Sequence, residues 1–174
     1  MGDKTQLLAM LLAARFKRPL PIVLGILTAT LVNHAAAGAL GGWIAAVLGP
    51  DILRWVIGLS FIAMAGWMLI PDKLDGDEDA GARFGVYATT VVAFFLAEMG
   101  DKTQIATVAL AARYDDLVSV VAGTTLGMLI ADVPAVFVGD KLARKVSMTW
   151  VHGIAAAIFA LLGVLTLFNV GKLF

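Results

Sequence analysis

The chain has no cysteine, which removes disulfides, thiolate metal ligands and cysteine nucleophiles together. Charge is scarce as well. Only 15% of the residues are Asp, Glu, Lys or Arg, and most of these fall in short segments between apolar runs. Thirteen bases balance thirteen acids, so no basic excess is available to attract nucleic acid, and no nucleic-acid partner is expected. Neither a Ser-His arrangement nor a His-Glu-x-x-His pattern occurs, which leaves an intramembrane hydrolase without a nucleophile or a metal-bound water. The glycine-rich patches contain no Gly-x-x-x-x-Gly-Lys-Ser/Thr phosphate loop. No enzyme and no resident cofactor are expected. No cleavable signal peptide is visible, since Met1 runs directly into Gly-Asp-Lys-Thr.

What the chain has in abundance is apolar surface. Hydrophobic residues make up 60% of it and the mean hydropathy is +0.91, well above that of a soluble domain. A soluble fold of this size could not hide several long apolar runs in one core. The chain is therefore expected to live in a lipid bilayer. Crossing the hydrocarbon as a helix takes about 20 residues, and Pro21–Val47, Ile52–Ile70, Phe84–Ala112, Leu117–Val138 and Trp150–Phe168 supply five candidates. Met1–Phe16 is a sixth, too short to cross alone. Pro19 and Pro21 open the second span and Pro71 closes the third. Trp43, Trp55, Trp67, Trp150 and Tyr114 fall near span ends, where amphipathic rings prefer the interface.

Gly2-Asp3-Lys4-Thr5-Gln6 recurs 98 residues later as Gly100-Asp101-Lys102-Thr103-Gln104. Met1–Arg15 agrees with Met99–Arg113 at ten of fifteen positions. Two related halves are implied: three spans in residues 1–70, an acidic linker at 71–83, and three spans in 84–174. With an odd number of spans, the second half enters the membrane inverted. The expected fold is an all-α polytopic membrane protein of six spans in two inverted three-helix repeats. By internal symmetry the first span should extend upstream of Met1 through an apolar run like Phe84–Ala97, so the first helix reads as truncated. Arg15, Lys17, Arg18, Lys73, Arg83, Lys141, Arg144 and Lys145 lie on one side, against Arg54, Arg113 and Lys172 on the other. The positive-inside rule places the first group, and the linker with it, in the cytoplasm and the C-terminus outside.

Glu98 and Asp101 are three residues apart and would share a face of a continuous helix, with Lys102 beside Glu98 and Gly100 opposite, open to a neighbouring helix. A charge at mid-membrane costs about 2.5–3.5 kcal/mol, whereas each Leu or Val returns only about 0.3–0.6 kcal/mol. Several charges in one helix must then face a polar interior. Structural ion pairs locking helices together would not explain a repeated five-residue string. Two acidic clusters with Thr and Gln oxygens nearby suit a hard divalent cation such as Mn²⁺ or Ca²⁺, and the same carboxylates can take protons when the metal leaves. Lys4 and Lys102 would hold the empty site near neutrality. His34 and Asp132, again 98 residues apart, are the other ionisable groups deep in the spans, fit for a proton relay or for polar packing. Gly38/Gly42 and Gly123/Gly127 read as helix-packing pairs.

Glu98-Met99-Gly100-Asp101-Lys102-Thr103 resembles the Glu-x-Gly-Asp-Lys/Arg-Thr/Ser signature of the Gdt family of cation/proton exchangers. That family's signature occurs once in each of two three-helix repeats, and the resemblance covers essentially the whole chain. It implies an antiporter in the cell inner membrane that moves Mn²⁺, or in some members Ca²⁺, out of the cytosol against protons. The metal is then substrate rather than cofactor. It also implies Glu98, Asp101 and Asp3 as cation ligands, with Thr103, Thr5, Gln104 and Gln6 as neighbours, and a glutamate immediately before Met1. Within transport the alternative is a proton-coupled exporter of amino acids or other small organic solutes. A non-transporting membrane subunit leaves the duplicated motif unexplained, and a homo-oligomer is compatible with the chain.

Overall fold

Proline sets where two of the helices begin. Arg18 stands before Pro19 with φ −127° and ψ 84°, because the pyrrolidine ring excludes the preceding residue from the helical region. Pro50 follows Gly49, whose φ −64° and ψ 158° are extended. In each case proline occupies the first helical turn, where its missing N–H leaves no bond unmade. The computed structural model describes residues 4–69, 85–114, 116–138 and 148–168, and these form seven helices with no strand among the described residues. They are α1 Lys4–Phe16, α2 Pro19–Val47, α3 Pro50–Met68, α4 Gly85–Glu98, α5 Lys102–Arg113, α6 Leu117–Val138 and α7 Met148–Leu167. The all-α class is as expected. The linker at 71–83, Pro71 and Asp3 lie outside the described residues.

One expected span is two helices. Phe84–Ala112 breaks at Met99-Gly100-Asp101, between α4 and α5. Gly100 has φ +73°, a left-handed conformation that glycine adopts without strain. Asp101 follows in extended conformation, φ −75° and ψ 160°, as the N-cap of α5. Gly100 therefore serves the turn and not helix packing, since a Cβ built there would meet nothing within 4 Å.

The described helix starts repeat with the sequence. α2 and α6 begin at residues 19 and 117, 98 residues apart, and the described parts of α1 and α5, and of α3 and α7, correspond at the same offset. Packing between the halves follows the same exchange: α5 lies on α2, α1 lies on α6, and α3 lies on α7. α2 also touches α4, so this one helix runs beside both arms of the break. At 29 residues it is about 43 Å long, more than the hydrocarbon thickness of about 30 Å. Two of the described helices, α2 and α6, are individually long and apolar enough to cross a bilayer.

Burial departs from that of a water-soluble fold. Large apolar side chains such as Leu20, Val118, Ile130, Phe137 and Trp150 cover the outside, while Thr30, Asn33, His34, Glu98, Asp101, Lys102 and Asp132 are buried. Lipid in place of water as the surrounding solvent produces that distribution. One apolar cluster joins Leu8, Ile22, Ile26 and Phe94 from α1, α2 and α4. A second joins Leu53, Ile57 and Phe61 of α3 to Ala109 and Ala112 of α5, with the Phe61 and Phe159 rings 5.8 Å apart.

The glycine pairing differs from the expected one. Gly38 and Gly41 face α5 and α6: a Cβ at Gly41 would stand 2.2 Å from the Val108 carbonyl oxygen. Gly42, Gly123 and Gly127 have nothing within 4 Å, so neither four-residue pair packs as such. Residues three apart share a helix face as closely as residues four apart, and here the three-residue spacing is the one in contact.

Candidate functional site

The break in the second half is where the repeated motif folds into a site. Ending α4 at Glu98 and starting α5 at Lys102 sets the negative end of one helix dipole and the positive end of another side by side at depth. Glu98 is buried, and both of its oxygens accept hydrogen bonds from α2: Thr30 Oγ1 donates to Oε1 at 2.5 Å and Asn33 Nδ2 to Oε2 at 3.1 Å. Asn33 Nδ2 also donates to the Phe95 carbonyl at 3.2 Å. On the far side of the break, Gln104 Nε2 reaches Asn33 Oδ1 at 3.4 Å, while Gln104 Oε1 accepts the Gly100 N–H at 2.8 Å. Gln104 thus spans the turn and Asn33 ties both arms to α2.

Asp101 is 4% exposed and its side chain makes no capping hydrogen bond to α5. Its Oδ2 instead accepts from Thr103 Oγ1 at 2.9 Å, and its Oδ1 lies 3.8 Å from Lys4 Nζ. Lys4 belongs to the first copy of the motif and Asp101 to the second, so residues nearly a hundred positions apart in sequence meet across the fold. Thr5 and Gln6 of the first copy turn to α6, where Thr5 Oγ1 meets Met128 Sδ at 4.0 Å and Gln6 Nε2 donates to the Ala131 carbonyl at 3.2 Å. Gln104–Asn33 and Gln6–Ala131 are equivalent pairs, each partner standing 98 residues from its counterpart. Lys102 is buried at the first position of α5. His34 is buried within electrostatic reach of Asp101, and Asp132 is buried in α6.

Among the described residues the structure therefore brings Glu98, Asp101, Thr103, Gln104 and Lys4 around one break, and sets Thr5 and Gln6 on the matching helix. No group of three or more His, Asp or Glu side chains converges among the described residues, and Asp3 is outside them. Thr30 and Asn33 were not anticipated from sequence. Their signal was present as two polar residues one turn apart in an apolar stretch, but Thr in a membrane helix usually bonds its own backbone, as Thr90 and Thr107 do here.

The family model for the divalent cation/proton antiporter GDT1 matches residues 1–76 and 86–172. The chain belongs to the GDT1 family. It is 52% identical over 169 residues to a Vibrio cholerae protein named "Putative manganese exporter", covering 97% of this chain and 84% of that protein. A GDT1-like protein of Synechocystis is 30% identical over 190 residues, covering 95% of this chain and 89% of the relative. "Protein PAM71-homolog, chloroplastic" of Arabidopsis thaliana is 27% identical over 203 residues, covering 98% of this chain and 56% of that one. No solved structure gives a significant match. GDT1 proteins are transporters, so the chain is a membrane protein whose family exchanges divalent cations for protons.

The turn carries a testable cost. Gly100→Ala meets no steric obstacle but forces a Cβ into φ +73°, at about 1–2 kcal/mol. Unfolding of the purified protein in detergent is expected to show a loss of that size. Gly123→Ala, in open space on a regular helix, is expected to be neutral or slightly stabilising.

Proposed function

We propose that this chain exports divalent cations, Mn²⁺ foremost, from the cytosol in exchange for protons. It does so as a multi-pass protein of the cell inner membrane, built of two inverted three-helix repeats, 1–70 and 84–174, joined by a cytoplasmic linker at 71–83. The observation that carries the reading is the contact between the two motif copies at Lys4 and Asp101, beside a buried Glu98 that accepts a hydrogen bond on each oxygen. Glu98, Asp101 and Asp3 act as oxygen ligands, which a hard cation requires, and Thr103, Thr5, Gln104 and Gln6 line the site. Lys4 balances Asp101 when no cation is bound, and a cation entering beside Asp101 displaces the ammonium. Lys102, His34 and Asp132 are the further groups available to compensate charge or carry protons. Exchange follows because the anionic site is occupied either by a divalent cation or by protons and the ammonium, and access alternates between the two faces.

The reading is tested in proteoliposomes carrying an internal pH indicator. Mn²⁺ added outside is expected to drive proton movement in the opposite direction, and a protonophore is expected to collapse the resulting pH signal. An amino acid that drives the same proton flux while Mn²⁺ does not would replace cation export with solute export. The Vibrio relative's name supports Mn²⁺ as the first cation to try, and Ca²⁺ is the natural second because it shares the oxygen preference.

A further inference from the structure

Thr30 and Asn33 do more than fill space. The Asn33 side chain makes three hydrogen bonds: two donated, to the Phe95 carbonyl and to Glu98, and one accepted from Gln104. Thr30 donates to the other Glu98 oxygen. A donor on each of its two oxygens fixes the orientation of the Glu98 carboxylate, and a carboxylate oxygen accepts more than one partner.

The other half of the molecule shows that helix packing does not demand these residues. The positions 98 residues on are Met128 and Ala131, on α6. There α1 packs with the same donors, but Thr5 meets a thioether and Gln6 turns to a backbone carbonyl. An apolar pair supports the equivalent contact of α1 with α6, so the helix contact by itself does not call for the polar pair on α2, whose hydrogen bonds go to Glu98.

We propose that Thr30 and Asn33 are positioning residues that pre-orient the Glu98 carboxylate and thereby set the cation affinity of the transport site. The inference rests on the reading of Glu98 as a cation ligand. A free glutamate side chain surrenders rotamer entropy on being fixed, and a carboxylate already held in place does not surrender it again on binding. Hydrogen-bond partners behind a metal ligand typically carry a 10–100-fold effect on affinity.

The test compares Mn²⁺ transport kinetics of Thr30→Val, Thr30→Ser, Asn33→Ala and Asn33→Asp in proteoliposomes. Thr30→Val and Asn33→Ala are expected to raise KM for Mn²⁺ by about 10–100-fold, with kcat within about threefold. Thr30→Ser keeps the hydroxyl and is expected to restore KM, which a packing role would not do. Asn33→Asp keeps the size and an oxygen but loses the donor facing Glu98, and is expected not to restore it. The double variant Thr30→Met with Asn33→Ala copies the α6 pair and is expected to stay folded in detergent with the raised KM. Thr30→Val and Asn33→Ala at wild-type KM overturn the proposal, as does Thr30→Ser as impaired as Thr30→Val. Asn33→Asp binding more tightly than wild type makes Asn33 a direct ligand and overturns it too. A wild-type protein that moves neither Mn²⁺ nor Ca²⁺ overturns the transport reading and takes this one with it.

Discussion

Asp101→Asn is expected to lower cation/proton exchange by at least about 100-fold while leaving the protein inserted in the membrane. The two halves of that outcome have separate causes. Asparagine is nearly the same size, is as good an N-cap as aspartate and keeps an oxygen for the Thr103 hydroxyl, so the start of α5 is retained. What it removes is one full negative charge from a site where the residue is 4% exposed and faces Lys4 at 3.8 Å. Losing that charge leaves a divalent cation one anionic oxygen ligand short, while Lys4, 19% exposed, can turn toward solvent. Even about 3 kcal/mol lost from cation binding corresponds to roughly 100-fold. Asp116→Asn is the matched control. Asp116 also precedes a helix, α6, where it accepts from the Ser119 N–H at 3.0 Å and the Ser119 hydroxyl at 2.5 Å, and those bonds hold its carboxyl below the usual range. It is exposed and remote from the motif, so its loss of charge is expected to leave flux unchanged. Mn²⁺ uptake and proton counterflow are measured on equal amounts of inserted protein. An Asp101→Asn variant with more than a tenth of wild-type flux would remove Asp101 from the ligand set.

The parts of this fold that could be read from sequence are those set by composition and repetition. Six apolar runs pointed to an all-α membrane protein, and the described helices fall on them, with α6 at the expected bounds and α2, α3 and α7 within a few residues. The repeated string marked out the candidate site, because a charge within lipid is too costly to leave unexplained. What could not be read was the local geometry inside it. Met99-Gly100 sits in an apolar stretch that continues on both sides, and periodicity alone extends a helix through it. Only the glycine followed by an aspartate, a left-handed residue followed by an N-cap, marks the break. A continuous helix had put Glu98 and Asp101 on one face. The turn instead sends Glu98 to Thr30 and Asn33, and Asp101 to Lys4.

Those long-range partners were illegible for a second reason. Neutral polar residues in a membrane helix have a cheap local outlet in their own backbone, so neither Thr30 nor Asn33 announces a distant acceptor. The charge partner of Asp101 was equally hidden. Local spacing offers Lys102 as a neighbour of each acid, and nothing in the linear string favours Lys4 of the other copy. Only the exchange of helices between the halves, α5 on α2 and α1 on α6, brings it there.

Gly41→Leu is expected to prevent α2 and α5 from closing on each other, with loss of folded protein and of transport. The obstacle is backbone. A Cβ at Gly41 would stand 2.2 Å from the Val108 carbonyl oxygen and 3.0 Å from the Ala112 amide nitrogen, and a helix cannot withdraw those atoms without moving as a whole. Overpacking against adjustable side chains costs about 1–3 kcal/mol, so a clash with main chain should reach the top of that range or exceed it. The consequence extends beyond stability, because α5 begins with the motif. If α5 moves away from α2 at Gly41, the Gln104–Asn33 bond on the same pair of helices lengthens from 3.4 Å, and the tie between the two arms of the break is lost with it. Gly42→Leu, one residue on, meets nothing within 4 Å and is expected to fold and transport within about twofold of wild type, since substitutions away from contacts change stability by about 0.5 kcal/mol or less. Thermal unfolding in detergent and Mn²⁺ flux in proteoliposomes, measured on both variants, separate the outcomes. If Gly41→Leu matches Gly42→Leu in both, α2 and α5 do not meet through this face, and the site at Glu98 must be held together by α2 and α4 alone.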